Sequence, residues 1–210
     1  MNFSSMSTRM PVMPEQTSGD LLSLLLPLHF FYAQTGEKLP LVKLVNGDKL
    51  PEPDRSLLVH ESDMTSTLKR FHGSDLILNV LRSDSSDGYL IRMVILERID
   101  NGQPVEFGAI GIRLEKFQDP LRDAVIAQKT PFGGLLEKYR VDYRSKPKGY
   151  FQLTADSRIA DALGEKHNAR LYGRCNELTD PEGFAFADIV EILPSSSVID
   201  PSYPDNQAYL

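Results

Sequence analysis

Two charged residues stand where strand alternation leaves them no water. In YLIRMVILERI, residues 89–99, a strand puts Leu90, Arg92, Val94 and Leu96 on one side and Tyr89, Ile91, Met93 and Ile95 on the other. Both sides are apolar, and a guanidinium cannot shed its proton to escape desolvation, so Arg92 requires an anionic partner. GFAFADIVEIL, residues 183–193, repeats the pattern: Ala185, Ala187, Ile189 and Leu193 share a side with Glu191. Two readings follow. Arg92 and Glu191 form a structural ion pair, or they line a closed pocket for a carboxylated ligand, with Arg92 as anion anchor and Glu191 as acid, base or acceptor. The small residues Ala185, Ala187, Gly108, Ala109 and Gly111 leave room for a cavity, although they also suit close helix packing.

Other chemistries find little to work with. His29, His60, His72 and His167 are scattered, with no pair at metal-ligand spacing, and the single cysteine, Cys175, reads as an inert core thiol. The expectation is a metal-free protein. The 23 Lys/Arg against 29 Asp/Glu give a formal charge of −6 without a basic cluster, which argues against nucleic acid or anionic lipid as partners. The one long apolar run, LLSLLLPLHFFYA at 21–33, is too short to span a bilayer and is interrupted by Pro27. It makes a poor signal peptide and reads as a docking helix, so a cytoplasmic location is expected.

The elements that must position Arg92 and Glu191 can be traced along the 210 residues, which are enough for one domain. Residues 1–19 and 194–210 read as loosely held tails, and 34–53 have no clear assignment. Helical spacing runs over 54–71, with Ser62 or Asp63 able to cap a turn and Gly73 ending it. Strands are predicted over 75–83, 89–99 and 104–114. The first two are joined by the polar turn SDSSDG and the last two by a hairpin at Asn101-Gly102, giving an antiparallel meander. Asp119-Pro120 reads as a cap and first helical residue for PLRDAVIAQK, and a short helix covers 132–138. Another helix covers 154–163, and two strands, 169–178 and 183–193, flank the turn TDPEG. Strand groups interrupted by helices without regular alternation predict an α+β domain, an antiparallel sheet with helices on one face.

Several stretches together resemble the chorismate pyruvate-lyase family, whose fold is shared with the ligand-sensing UTRA domain. They are ESDMT at 61–65, YLIR at 89–92, GQP at 102–104, TPFG at 130–133, YGR at 172–174 and VEILP at 190–194. The resemblance covers about residues 58–194. It implies a sheet with helical flaps over a buried pocket, and a cofactor-free lyase that eliminates pyruvate from chorismate or a related enol-ether acid to leave 4-hydroxybenzoate or a similar aromatic acid. Arg92 would bind the ring carboxylate and Glu191 would sit near the ring oxygen. Backbone amides at Met64 and Phe132 would contribute, although Met64 also suits a plain core role. Family members carry a second arginine where this chain has Ala109. Arg113, on the same alternation face, and Arg174 are the nearest substitutes, and neither is a positional match.

The implied division is an N-terminal extension with an apolar docking segment at 1–50, the lyase-like domain at 51–194 and a flexible tail at 195–210. The implied partners are a small anionic substrate and an aromatic carboxylate product, with no nucleic acid and no membrane. The rival function is non-catalytic: a UTRA-like module that binds an aromatic carboxylate. Sensors of that type usually carry a helix-turn-helix domain, for which the first 50 residues are too few and too interrupted by proline, and this favours the enzyme.

Overall fold

A computed structural model describes residues 18–195. Of the tails expected at 1–19 and 194–210, residues 1–17 and 196–210 lie outside the described residues, and residues 18 and 19 belong to a helix instead. Among the described residues seven strands form one antiparallel sheet: β1 (Val42–Val45), β2 (Leu76–Ser86), β3 (Tyr89–Arg98), β4 (Pro104–Arg113), β5 (Arg144–Thr154), β6 (Arg170–Thr179) and β7 (Ala185–Leu193), in the spatial order β1-β5-β6-β7-β4-β3-β2. The meander β2-β3-β4 is present as predicted, and β7 pairs with β4, so β3, β4, β7 and β6 are interior strands. The α+β antiparallel sheet is as predicted, but helices cover both of its faces rather than one, because interior strands that are apolar on both sides need cover on both.

One face of the sheet holds a continuous apolar core. Ile91, Met93 and Ile95 of β3, Phe107 and Ala109 of β4, and Val190 and Ile192 of β7 project into it. Two helices cover it, α2 (Leu26–Gln34) and α7 (Ser157–Leu163). Leu28, Phe31 and Tyr32 fall at i, i+3 and i+4 of α2 and are fully buried. The Tyr32 hydroxyl donates to Asp156 Oδ2 at 2.6 Å, and Asp156 caps α7 by accepting from the Ile159 amide at 3.0 Å, so the two helices are tied together.

The predicted boundary at residue 51 is therefore corrected. The segment read as a docking extension is part of the domain, because α2 supplies core residues and β1 pairs with β5 from Val42↔Leu153 to Val45↔Tyr150. Pro27, which interrupts the apolar run, sits in the first turn of α2, where its missing N–H is harmless. A short α1 (Ser18–Leu24) precedes it, and among the described residues no helix is long and apolar enough to cross a membrane.

The other face is covered by α3 (Asp54–Leu58), α4 (Met64–His72), α5 (Leu121–Ile126) and α6 (Phe132–Lys138). The helix predicted over 54–71 is two helices. Asp63 adopts extended backbone and accepts from the Ser66 amide at 2.7 Å, which ends one path and starts α4; Gly73 closes α4 at φ 60°. The cap predicted at Asp119 is absent: α5 begins at Leu121 behind Pro120, with no side-chain cap. The turn predicted over SDSSDG shrinks to Asp87 and Gly88, both at positive φ, because Ser83 to Ser86 keep pairing with β3 along an exposed sheet edge. β5 has no counterpart among the predicted strands, although Phe151 and Leu153 alternate inward along its second half. Pro147 and Gly149 flank a register shift before them, and a bulge of that kind erases the alternation that marks a strand.

Phe31→Ala tests whether α2 belongs to the core. Emptying that site should cost about 3–5 kcal/mol in denaturant unfolding, whereas a dispensable docking segment would lose only a few tenths.

Candidate functional site

The face beneath α4 and α6 has two separate apolar clusters. One gathers Leu90, Ile110, Phe132 and Leu178, the other Met64, Leu68, Leu96 and Leu193. Between them lies a cavity whose wall carries Arg92, Glu106, Glu191, Asn176, Tyr143 and Asp63. Its empty space is about 590 Å³ including the mouth.

Strand register sets the layout of this wall. Arg92 stands opposite Ile110, which stands opposite Ile189 and then Asn176, forming one row across β3, β4, β7 and β6. The next same-face row, about 7 Å along the strands, is Val94, Gly108, Glu191 and Arg174. A third begins Leu78, Leu96, Glu106. Arg92 and Glu191 thus occupy different rows, and Glu191 faces Arg174 directly.

That register corrects the ion-pair reading. The partner of Glu191 is Arg174, whose Nε donates to Glu191 Oε2 in a short contact, with both residues buried at 0% and 4% exposure. The remaining guanidinium donors reach the chain between α3 and α4: Nη1 donates to the carbonyls of His60 at 2.9 Å and Leu58 at 3.2 Å, and Nη2 to that of Ser62 at 3.4 Å. Beside this cation, and above all through burial, the His60 imidazole is held below its usual range. The segment that Arg174 secures leads into Asp63, so one arginine fixes both a cavity carboxylate and the entry to α4.

Among the described residues Arg92 has no such partner. It is 1% exposed, and neither Nε nor Nη1 makes a hydrogen bond. Burial alone pushes its guanidinium down to about 10, which leaves it cationic at neutral pH. Glu106, which the sequence reading missed, is also buried, with Oε2 lacking a partner. Burial first, then the nearby Glu191 charge, holds its carboxyl well above the ordinary value of 4.5, against the opposing pull of Arg174. Two glycines make these approaches possible. A Cβ at Gly108 would come within 3.1 Å of Glu106 Oε1 and 3.2 Å of Val94, and one at Gly133 would overlap Asp63 Oδ1 at 1.8 Å. Tyr143 is pushed up to about 12, chiefly by burial, so its hydroxyl stays a donor. Ser145 and Asn176 hydrogen-bond each other.

Of the residues singled out from sequence, Arg92, Glu191, Met64 and Phe132 all line this cavity, the last two as the opening residues of α4 and α6. Arg113 does not. It is exposed at the end of β4, with its guanidinium 5.8 Å from the centre of the Phe184 ring. Alternation is the reason, because position 113 shares the side of Phe107 and Ala109, which pack into the core under α2. Applying to β4 the test that exposed Arg92 would have found Glu106, a lone charge sharing a side with Gly108, Ile110 and Ile112. Arg174 gave a weaker signal, since Tyr172 and Asn176 on its side are themselves polar.

No family model and no curated protein matches the chain. Solved structures do. The effector domain of PhnF from Mycobacterium smegmatis is similar with a TM-score of 0.53 at 10% identity, over 66% of this chain and 91% of that one. The longer PhnF structure from the same organism gives 0.52 at 10% identity, over 65% of each chain. This chain therefore spans about two-thirds of the longer PhnF. The ligand-binding domain of a GntR-family regulator from Bordetella bronchiseptica aligns at 0.46 and 14% identity, over 58% of this chain and 86% of that one. The fold is the UTRA-like α+β fold.

Two stability measurements check the assignment of partners. Arg174→Met strands Glu191 and should cost about 3–5 kcal/mol, while Arg92→Met removes an unpartnered cation and should be neutral or stabilising; equal losses in denaturant unfolding would contradict the geometry. Glu106→Gln should stabilise the protein at pH 7–8. Wild type keeps the stability of its neutral buried carboxyl only below the unfolded-state value near 4.5 and loses it as pH rises toward the higher folded value. The advantage of the amide must therefore shrink on acidification, and a gap independent of pH would mean that Glu106 is ionised in the fold.

Proposed function

We propose that the protein is a binding domain for a small organic carboxylate, anchored by Arg92 in the cavity beneath α4 and α6. The observation that carries this reading is the Arg92 guanidinium itself, buried on a cavity wall with Nε and Nη1 unpaired. A cation kept in that state gains most from a ligand carboxylate, which can take two of its donors at once. Apolar side chains of Leu96, Phe132 and Ile189 suit a flat or compact hydrocarbon body. The likeness to the PhnF effector domain supports binding without chemistry. So does the commitment of Glu191 to Arg174, which leaves that carboxylate poorly placed to exchange a proton.

A second reading is the lyase, eliminating pyruvate from chorismate or a related enol-ether acid. It draws support from the gathering of Arg92, Glu191, Met64 and Phe132 around one cavity. In that reading Arg92 holds the ring carboxylate, Glu191 acts as an ion-paired electrostatic group, and an enclosed site strengthens both interactions.

Thermal shift with millimolar benzoate and hydroxybenzoates should raise the melting temperature by mass action, and Arg92→Met should weaken binding at least about a hundredfold, the loss of a desolvated charge contact. Incubation with chorismate should release no pyruvate; stoichiometric pyruvate and an aromatic acid would replace the binding reading with the lyase.

A further inference from the structure

The cavity wall carries a second unsatisfied group, and its surroundings constrain the ligand's charge. Glu106 sits in the third row of the wall, four residues along β4 from Ile110, the residue opposite Arg92. That offset is about 13 Å of strand. Arg92 is not among the charges that act on Glu106, which are Glu191, Arg174 and Asp63. Arg174, the cation nearest Glu106 in register, is spent on Glu191 and on three backbone carbonyls. A ligand carboxylate near Glu106 would thus meet a buried carboxyl with Glu191 and Asp63 beside it and, among the described residues, no uncommitted cation.

We propose that Glu106 is the charge-selecting residue of the cavity: its carboxyl group donates a hydrogen bond to a neutral oxygen of the ligand, so that the site admits monocarboxylates with an oxygen at the far end and excludes dicarboxylates. Three observations converge on this. The side chain is 5% exposed, Oε2 has no protein partner, and Gly108 leaves the space in which the carboxyl lies. Burial and the neighbouring carboxylates keep the group in its neutral, donating form, as a buried acid without a cation must be. A neutral amide, hydroxyl or ester oxygen satisfies that donor; a second carboxylate would bring another charge into a place that already resists one.

The proposal rests on Arg92 as carboxylate anchor, and the test separates the two. Isothermal titration of the full chain at pH 7 compares 4-hydroxybenzoate, 4-carbamoylbenzoate and terephthalate; the last two have the same shape and differ by one charge. Wild type should bind both monocarboxylates at least tenfold more tightly than terephthalate. Glu106→Gln, neutral and hydrogen-bonding, should keep that ratio, and Glu106→Ala should bring it within about threefold. Equal binding of terephthalate by wild type, or a ratio unchanged in Glu106→Ala, overturns the role of Glu106 while leaving the anchor intact. Monocarboxylate binding undiminished in Arg92→Met overturns the anchor instead, and no binding of any probe at millimolar concentration rejects both.

Discussion

The Arg174–Glu191 pair is the interaction on which the rest of this sheet face depends. Two charges buried at 0% and 4% exposure pay heavily in desolvation, and mutual attraction alone seldom recovers it. Here the guanidinium also reaches carbonyls of residues 58, 60 and 62, so its donors are matched by acceptors of fixed position. The chain that follows is then in place for Asp63 to cap α4 and to lie against Gly133 at the start of α6. One ion pair therefore links β6 and β7 to both helices that cover the cavity. By engaging Glu191 it also leaves Arg92 without the carboxylate that the residue types alone would have assigned to it.

The two faces divide the physical tasks. Beneath α2 and α7 the sheet meets a single uninterrupted apolar core, at whose edge the Tyr32–Asp156 hydrogen bond ties the two helices. Burial there supplies the hydrophobic stabilisation of the domain. The opposite face splits into two clusters separated by Arg92, Glu106, Glu191 and Asn176, a strip where apolar packing would be simpler and more stable. Unsatisfied groups within it, Arg92 Nε and Nη1 and Glu106 Oε2, are an electrostatic cost that the core on the far face can carry. Sites of this kind are where local rules of packing and polar satisfaction give way to function.

Much of this was legible in the chain. Apolar runs between turn signals marked β2, β3, β4, β6 and β7, while Gly73 and Gly164, at positive φ, close α4 and α7 and Asp87-Gly88 turns β2 into β3. Arg92 and Glu191 stood out because a charge amid apolar neighbours on a strand has no alternative to burial. The sequence could not show which charges meet, since pairing between strands distant in the chain is set by sheet order and register. Arg174↔Glu191 is a register fact, as is the placement of Arg113 on the wrong side of β4. The strand order that puts β7 beside β4, the bulge that hides β5, and the use of the segment around Phe31 as core were likewise decided by tertiary packing. Local pattern determined what must be buried. Only the assembled sheet decided against what, because desolvated charges respond to neighbours a few ångströms away in space, however far apart they lie in the chain.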